Sequence, residues 1–205
     1  QSNDSTYQLV GPARGGWTGG GGGGGIACFP KALGRSEIFD SQDHLLESSY
    51  SKIQGVYSFD LIRNNLWPFP ALPHEGWSAY LNRIIETQIR PTVPVFAEKL
   101  LKALSTLRDG DGNLKNWDAR TSVPRIHDIH SVPMPMEWFT TVISNHQVHC
   151  FYVQIARRFS QHRPGHLPAV FVDYDERLFN LLGRHEENYG AIHQASLVLH
   201  EALYL

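Results

Sequence analysis

The run Phe139-Thr-Thr-Val-Ile-Ser-Asn-His-Gln-Val-His-Cys-Phe-Tyr-Val-Gln-Ile155 is rich in β-branched and aromatic residues. Such residues favour strands, and Asn145 with His146 favours a turn between two of them. We therefore predict a β-hairpin here, whose second strand covers residues 148–155. The apolar run at 169–172 predicts one more short strand.

Helical patterns lie on both sides of this hairpin. Asp173 or Asp175 is placed to cap a helix that Gly183 ends. Apolar spacing and capping residues predict helices at 41–50, 77–85, 94–107, 176–182 and 188–205. Because helices and strands are grouped rather than alternating, we predict an α+β fold, with a helical hairpin and C-terminal helices packed on a small, mainly antiparallel sheet.

The N-terminal part of the chain differs in composition from the rest. Residues 1–30 hold only two charged side chains and are predicted to form a Gly-rich arm, followed by a single globular domain over 31–205. Glycine allows close backbone approach, so either the domain or a neighbouring molecule is expected to hold the run. The candidate binding residues are Trp17, Gly19, Gly20, Gly21, Gly22, Gly23, Gly24 and Gly25.

Cys28 and Cys150 are the only cysteines in the chain. An even count suits an oxidising compartment, so we predict a disulfide between them, two buried thiols being the alternative. The small polar start at Gln1 is typical of a mature chain after signal-peptide removal. These features together predict an exported protein.

Charge and hydropathy argue against a nucleic acid partner and against a membrane-spanning helix. The net charge is −2 with His neutral, which argues against a protein that binds the nucleic acid backbone. No apolar run approaches the roughly 18–20 residues that a membrane-spanning helix needs. We therefore expect neither a nucleic acid partner nor a transmembrane segment.

Nine of the 11 histidines lie between His127 and His200, which raises the question of a metal site. His200-Glu201 opens the zinc motif H-E-x-x-H, but Tyr204 stands where the second His belongs. We expect no cofactor. The alternative is zinc held by His193 and His200 with Glu201 as general base, or copper held near Met134 and Met136, where thioethers follow two histidines.

Three segments carry a family resemblance. The chain resembles uncharacterised exported envelope proteins of Gram-negative bacteria in three places. These are residues 25–29 (Gly-Ile-Ala-Cys-Phe), residues 154–157 (Gln-Ile-Ala-Arg) and residues 195–204, which end in His-Glu-Ala-Leu-Tyr. The resemblance implies a location in the periplasm or at the cell surface. It supplies no catalytic residue.

The function expected from these patterns is association rather than catalysis. We expect a non-enzymatic envelope or surface protein that binds protein partners or assembles with itself through its Gly-rich arm. A metal-dependent envelope hydrolase built on His200 and Glu201 is the alternative. A third interpretation, a carbohydrate-binding module that uses tryptophans, has no sharp motif.

Overall fold

The computed structural model describes residues 23–64, 69–120, 123, 148–161, 169–184 and 189–205. Within them the chain has an α+β fold. The strands are β1 (Gly24–Pro30), β2 (Gly55–Ser58), β3 (Trp117–Arg120), β4 (Val148–Gln154), β5 (Ala156–Gln161) and β6 (Ala169–Asp175). The α-helices are α1 (Arg35–Ile38), α2 (Phe59–Asn64), α3 (Trp77–Ile84), α4 (Pro94–Leu107), α5 (Glu176–Leu182) and α6 (Tyr189–Leu203). A 3₁₀ helix covers Glu47–Lys52, and a π-helical turn at Ile85–Ile89 extends α3.

The strands form two small sheets. In the first, β1 lies between β2 and β4 and is antiparallel to both. In the second, β6 lies between β3, which is parallel to it, and β5, which is antiparallel. The chain passes from one sheet to the other at Ile155, whose carbonyl accepts a hydrogen bond from the Asp175 N–H (2.8 Å).

The central strand β1 is buried on both faces. Ala27 and Phe29 point into the main core, while Ile26 and Cys28 point into a second, smaller cluster with Phe59. Alternate residues of a strand face opposite sides, so one strand contributes to both cores. This position ties the glycine-rich segment to the interior of the fold.

The fold class and several elements predicted from the sequence are confirmed. β4, β6, α4, α5 and α6 lie where their patterns place them, to within a few residues at their ends. Asp175 is the cap of α5, since its carboxylate accepts hydrogen bonds from the backbone N–H groups of Arg177 and Leu178. Gly183 ends that helix, as predicted.

Two boundaries differ from the sequence-based prediction. The α-helix predicted at 41–50 is wrong: the Asp40 carboxylate accepts hydrogen bonds from the backbone N–H groups of Gln42 and His44, and this turn competes with a helix. Residues 24–30, assigned to the arm, belong instead to the domain, because they form the central strand of a sheet. Residues 139–143 of the predicted hairpin lie outside the described residues.

Candidate functional site

The end of the glycine run is packed too closely for any side chain. A Cβ atom at Gly23 would lie 2.1 Å from Leu197 Cδ1, and one at Gly24 would lie 2.3 Å from the Tyr152 hydroxyl. At Gly25 it would lie 2.3 Å from Ile155 Cδ1. All three glycines are buried, so they make the close approach that glycine permits, and they make it to their own domain.

Gly23 is held through both of its backbone groups. Its N–H donates a hydrogen bond to Glu201 Oε1 on α6 (2.6 Å). Its carbonyl accepts from the N–H groups of Ile155 (3.1 Å) and Ala156 (2.9 Å), where the chain changes sheets. We call Gly23 with these partners the arm root, because residues 1–22 precede it in the chain.

Glu201 provides the arm root with a fully buried carboxyl group. Its exposed fraction is 0%, and Oε2 has no hydrogen-bond partner among the residues described. Burial raises the pKa of Glu201, against the opposing influence of His200, the Gly23 N–H and Arg158. Buried Arg158 lies beside it and donates a hydrogen bond to the Glu201 backbone carbonyl (3.4 Å). The carboxyl group therefore favours the protonated form more strongly in the folded chain than in the unfolded chain.

This shift predicts a pH dependence that Glu201→Gln removes. A raised folded-state pKa contributes stability that is complete below the unfolded-state pKa and is lost as pH rises through the folded-state value. We expect the free energy of unfolding of the wild type to fall as pH rises from the unfolded-state pKa of Glu201 through its folded-state pKa. The free energy of unfolding of Glu201→Gln should change less over the same pH range, because Gln keeps an acceptor for the Gly23 N–H but carries no charge. Urea unfolding at a series of pH values measures both curves.

Gln88→Ala is the control for this comparison, since Gln88 is exposed on the π-helical turn and carries no titratable group. Its curve should follow that of the wild type. If Glu201→Gln shows the same pH slope as the wild type, burial does not shift the Glu201 carboxyl group as we infer.

His193 and His200 lie on α6 but have different partners. His193 is buried and its Nδ1 accepts a hydrogen bond from the Ser58 N–H (3.0 Å). His200 Nδ1 lies 2.6 Å from Asp60 Oδ2. Burial lowers the pKa of His200, but the hydrogen bond and charge of Asp60 outweigh burial, so its pKa lies above the usual value. The two imidazoles are thus oriented by separate groups on β2 and α2.

The part of the chain that is described contains no group of three or more His, Cys, Asp or Glu side chains arranged to hold a metal ion. Neighbouring residues on a helix point about 100° apart, so His200 and Glu201 do not converge by themselves. The proposed copper residues Met134 and Met136 lie outside the described residues. Of the five tryptophans, Trp77 and Trp117 are described, and both pack against Phe179.

The structure changes the set of candidate binding residues. Gly23, Gly24 and Gly25 are buried in the domain, so they are not available to a partner in this conformation. Trp17 and residues 19–22 lie outside the described residues, and their binding role stays a prediction.

The predicted disulfide is present. Cys28 and Cys150 face each other in the β1–β4 register and are bonded. No helix in the described ranges is long and apolar enough to cross a membrane.

Sequence reasoning missed Asp60 and Arg158 as members of this region. Both belong to elements remote in sequence from α6, and neither lies in a motif. Comparisons with protein families, with curated proteins and with solved structures find no match for this chain.

Proposed function

We propose that this protein is a non-enzymatic protein of the cell envelope or cell surface that acts by association, through the glycine-rich arm of residues 1–22. The observation that carries the proposal is the arm root. Gly23 is bonded at both backbone groups to buried partners on α6 and at the β4–β5 junction. These bonds fix the point from which residues 1–22 leave the core of the domain.

Export is the second element of the proposal, and the disulfide supports it. Disulfides persist in oxidising compartments and are rare in the cytosol. The bridge joins β1 to β4 and so secures the strand from which the arm starts.

Deletion of residues 1–22 tests the arm. We expect the full chain to assemble with itself or with envelope proteins, and the truncated chain to remain folded but monomeric. Gly24 and Gly25 must be kept, because they belong to the central strand of a sheet. The truncated chain starts with Met-Ser before Gly23, so that the Gly23 nitrogen stays an amide N–H that donates to Glu201 Oε1. Native mass spectrometry reports the mass of the assembly, and the free energy of unfolding should change by less than about 0.5 kcal/mol.

The matched control carries a Ser- and Asn-rich segment of equal length in place of residues 1–22. It should behave like the deletion if the arm sequence matters, and like the wild type if only length matters. Assembly that is unchanged in the deletion variant contradicts the proposal.

A metal-dependent hydrolase is the second candidate, and one specific observation favours it. His200 Nε2 and Glu201 Oε2 are both buried without a hydrogen-bond partner among the described residues. Asp60 on His200 Nδ1 also resembles the carboxylates that orient metal-binding imidazoles. Against it, Glu201 Oε1 is already occupied by the Gly23 N–H.

Elemental analysis of the purified chain separates these candidates. Stoichiometric zinc or copper that is lost in His200→Asn supports the hydrolase, and a hydrolytic activity lost in Glu201→Gln would extend that support. Under our proposal, His200→Asn does not affect assembly through the arm.

A further inference from the structure

The turn between α3 and α4 is an uncharged, exposed apolar segment. Residues 91–96 read Pro-Thr-Val-Pro-Val-Phe, and every one of them is exposed. The exposed fractions are 47% for Val93, 70% for Val95 and 44% for Phe96. Large apolar side chains that are exposed together, without charge between them, mark an interaction surface. We call residues 91–96 the hairpin tip.

The packing of the two helices places this tip at one end of the hairpin. Arg108, just after α4, donates hydrogen bonds to the carbonyl (3.0 Å) and hydroxyl (2.7 Å) of Ser78 near the start of α3. The helices are therefore antiparallel. Because α4 has 14 residues, the tip lies about 20 Å from that contact.

The rest of α4 is fixed to the domain. Its core-facing residues are Ala97, Leu100, Leu104 and Leu107, all buried. The first of them, Ala97, follows directly after the tip, and the exposed α4 positions just beyond it carry the charged side chains of Glu98 and Lys99. The tip is thus a convex feature on a well-anchored helix, and a change in its side chains leaves the core contacts of α4 intact.

The charges around the tip favour an anionic partner. Arg90 binds both Glu86 and Glu98 and so offsets part of their charge. Lys99 and Lys102 are exposed on α4, and the described part of the chain offers them no ion pair. Lysines within two turns of an inserted apolar segment can extend to lipid headgroups.

We propose that the hairpin tip inserts into the surface of an anionic lipid membrane. A lipid interface accepts a convex, uncharged apolar feature without needing a matching groove. Lys99 and Lys102 then add attraction to anionic headgroups. This inference goes beyond the proposed function, because it requires neither the arm nor a protein partner.

Vesicle co-sedimentation tests the inference with the full chain. We expect binding to phosphatidylglycerol-containing vesicles and weaker binding to pure phosphatidylcholine vesicles. The double variant Val95→Ser/Phe96→Ser should bind about tenfold more weakly, because it removes most of the inserted apolar surface. Lys99→Gln/Lys102→Gln should lose about fivefold per lysine on anionic vesicles only.

Leu72→Ser is the matched control, since Leu72 is exposed (53%) and lies outside the tip. It should bind like the wild type, as should the chain without residues 1–22, so failure of the tip and failure of the arm are distinguishable. Equal binding by the wild type and the Val95/Phe96 variant overturns the inference, as does a wild type that does not bind.

Sedimentation without vesicles tests the alternative that the hairpin tip contacts a second copy of the chain. If the wild type is dimeric in solution and the Val95/Phe96 variant is monomeric, the tip contacts a second copy of the chain and the membrane proposal is wrong.

Discussion

Replacing both Cys28 and Cys150 with alanine is expected to lower the free energy of unfolding by about 4–5 kcal/mol. The bridge joins residues that are 122 positions apart, and closing a loop of that length lowers the conformational entropy of the unfolded chain. Cys28 is also buried in the smaller core cluster beside Ile26 and Phe59. A loss of this size is a large part of the stability of an ordinary domain.

Urea unfolding of the wild type and the double variant, each with and without a thiol reductant, measures this effect. Reductant should lower the stability of the wild type towards that of the variant and leave the variant unchanged. A difference below about 1 kcal/mol would mean that packing around β1, rather than the cross-link, holds the strand in place.

Gly190→Ala is expected to cost about 1–3 kcal/mol through overpacking, although Gly190 lies near the start of α6, where helix propensity alone favours alanine. Propensity predicts a gain of about 1 kcal/mol. A Cβ atom, however, would lie 2.2 Å from the Gly183 carbonyl oxygen and 2.9 Å from its Cα. Backbone atoms at a helix end move only with the helix, so overpacking dominates. The sign of the measured change therefore separates the two effects.

Gly110→Ala is the matched control for this substitution. Gly110 lies in the turn after α4, and a Cβ atom there would meet nothing within 4 Å. Its free energy of unfolding should stay within about 0.5 kcal/mol of the wild type. If Gly190→Ala is equally neutral, the close contact between the ends of α5 and α6 is absent in solution.

Local sequence patterns were sufficient to predict those helices whose capping residues and apolar spacing lie within the helix itself. The local pattern predicted a cap at Asp173 or Asp175, and the structure places it at Asp175. The stop at Gly183 and the apolar spacing of α4 and α6 act within a few residues. Two cysteines allow only one pairing within the chain, so the count predicted the bridge, with two buried thiols as the alternative, and the structure shows the disulfide. In these cases the interactions join residues that are close in sequence, or the chain offers only one possible pairing.

The residues of the candidate site could be predicted from the sequence only in part. His200 and Glu201 were singled out by their similarity to a zinc motif, yet the hydrogen bond from Gly23 to Glu201 spans 178 positions. No pattern near either residue indicates the other. Phe96 shows the same limit at the hairpin tip: its spacing matches the core face of α4, but it is 44% exposed.

The amino-acid sequence by itself determined the α+β class, the principal helices, the strands with β-branched residues and the cross-link, because propensity, capping and apolar spacing are local properties. Only the tertiary structure decided that the end of a glycine run is the central strand of a sheet. Glycine has no side chain to signal burial, and its strand conformation comes from the ladders with β2 and β4 and from the close contacts with Leu197, Tyr152 and Ile155. The location of the arm root follows from those contacts, which exist only once the chain has folded.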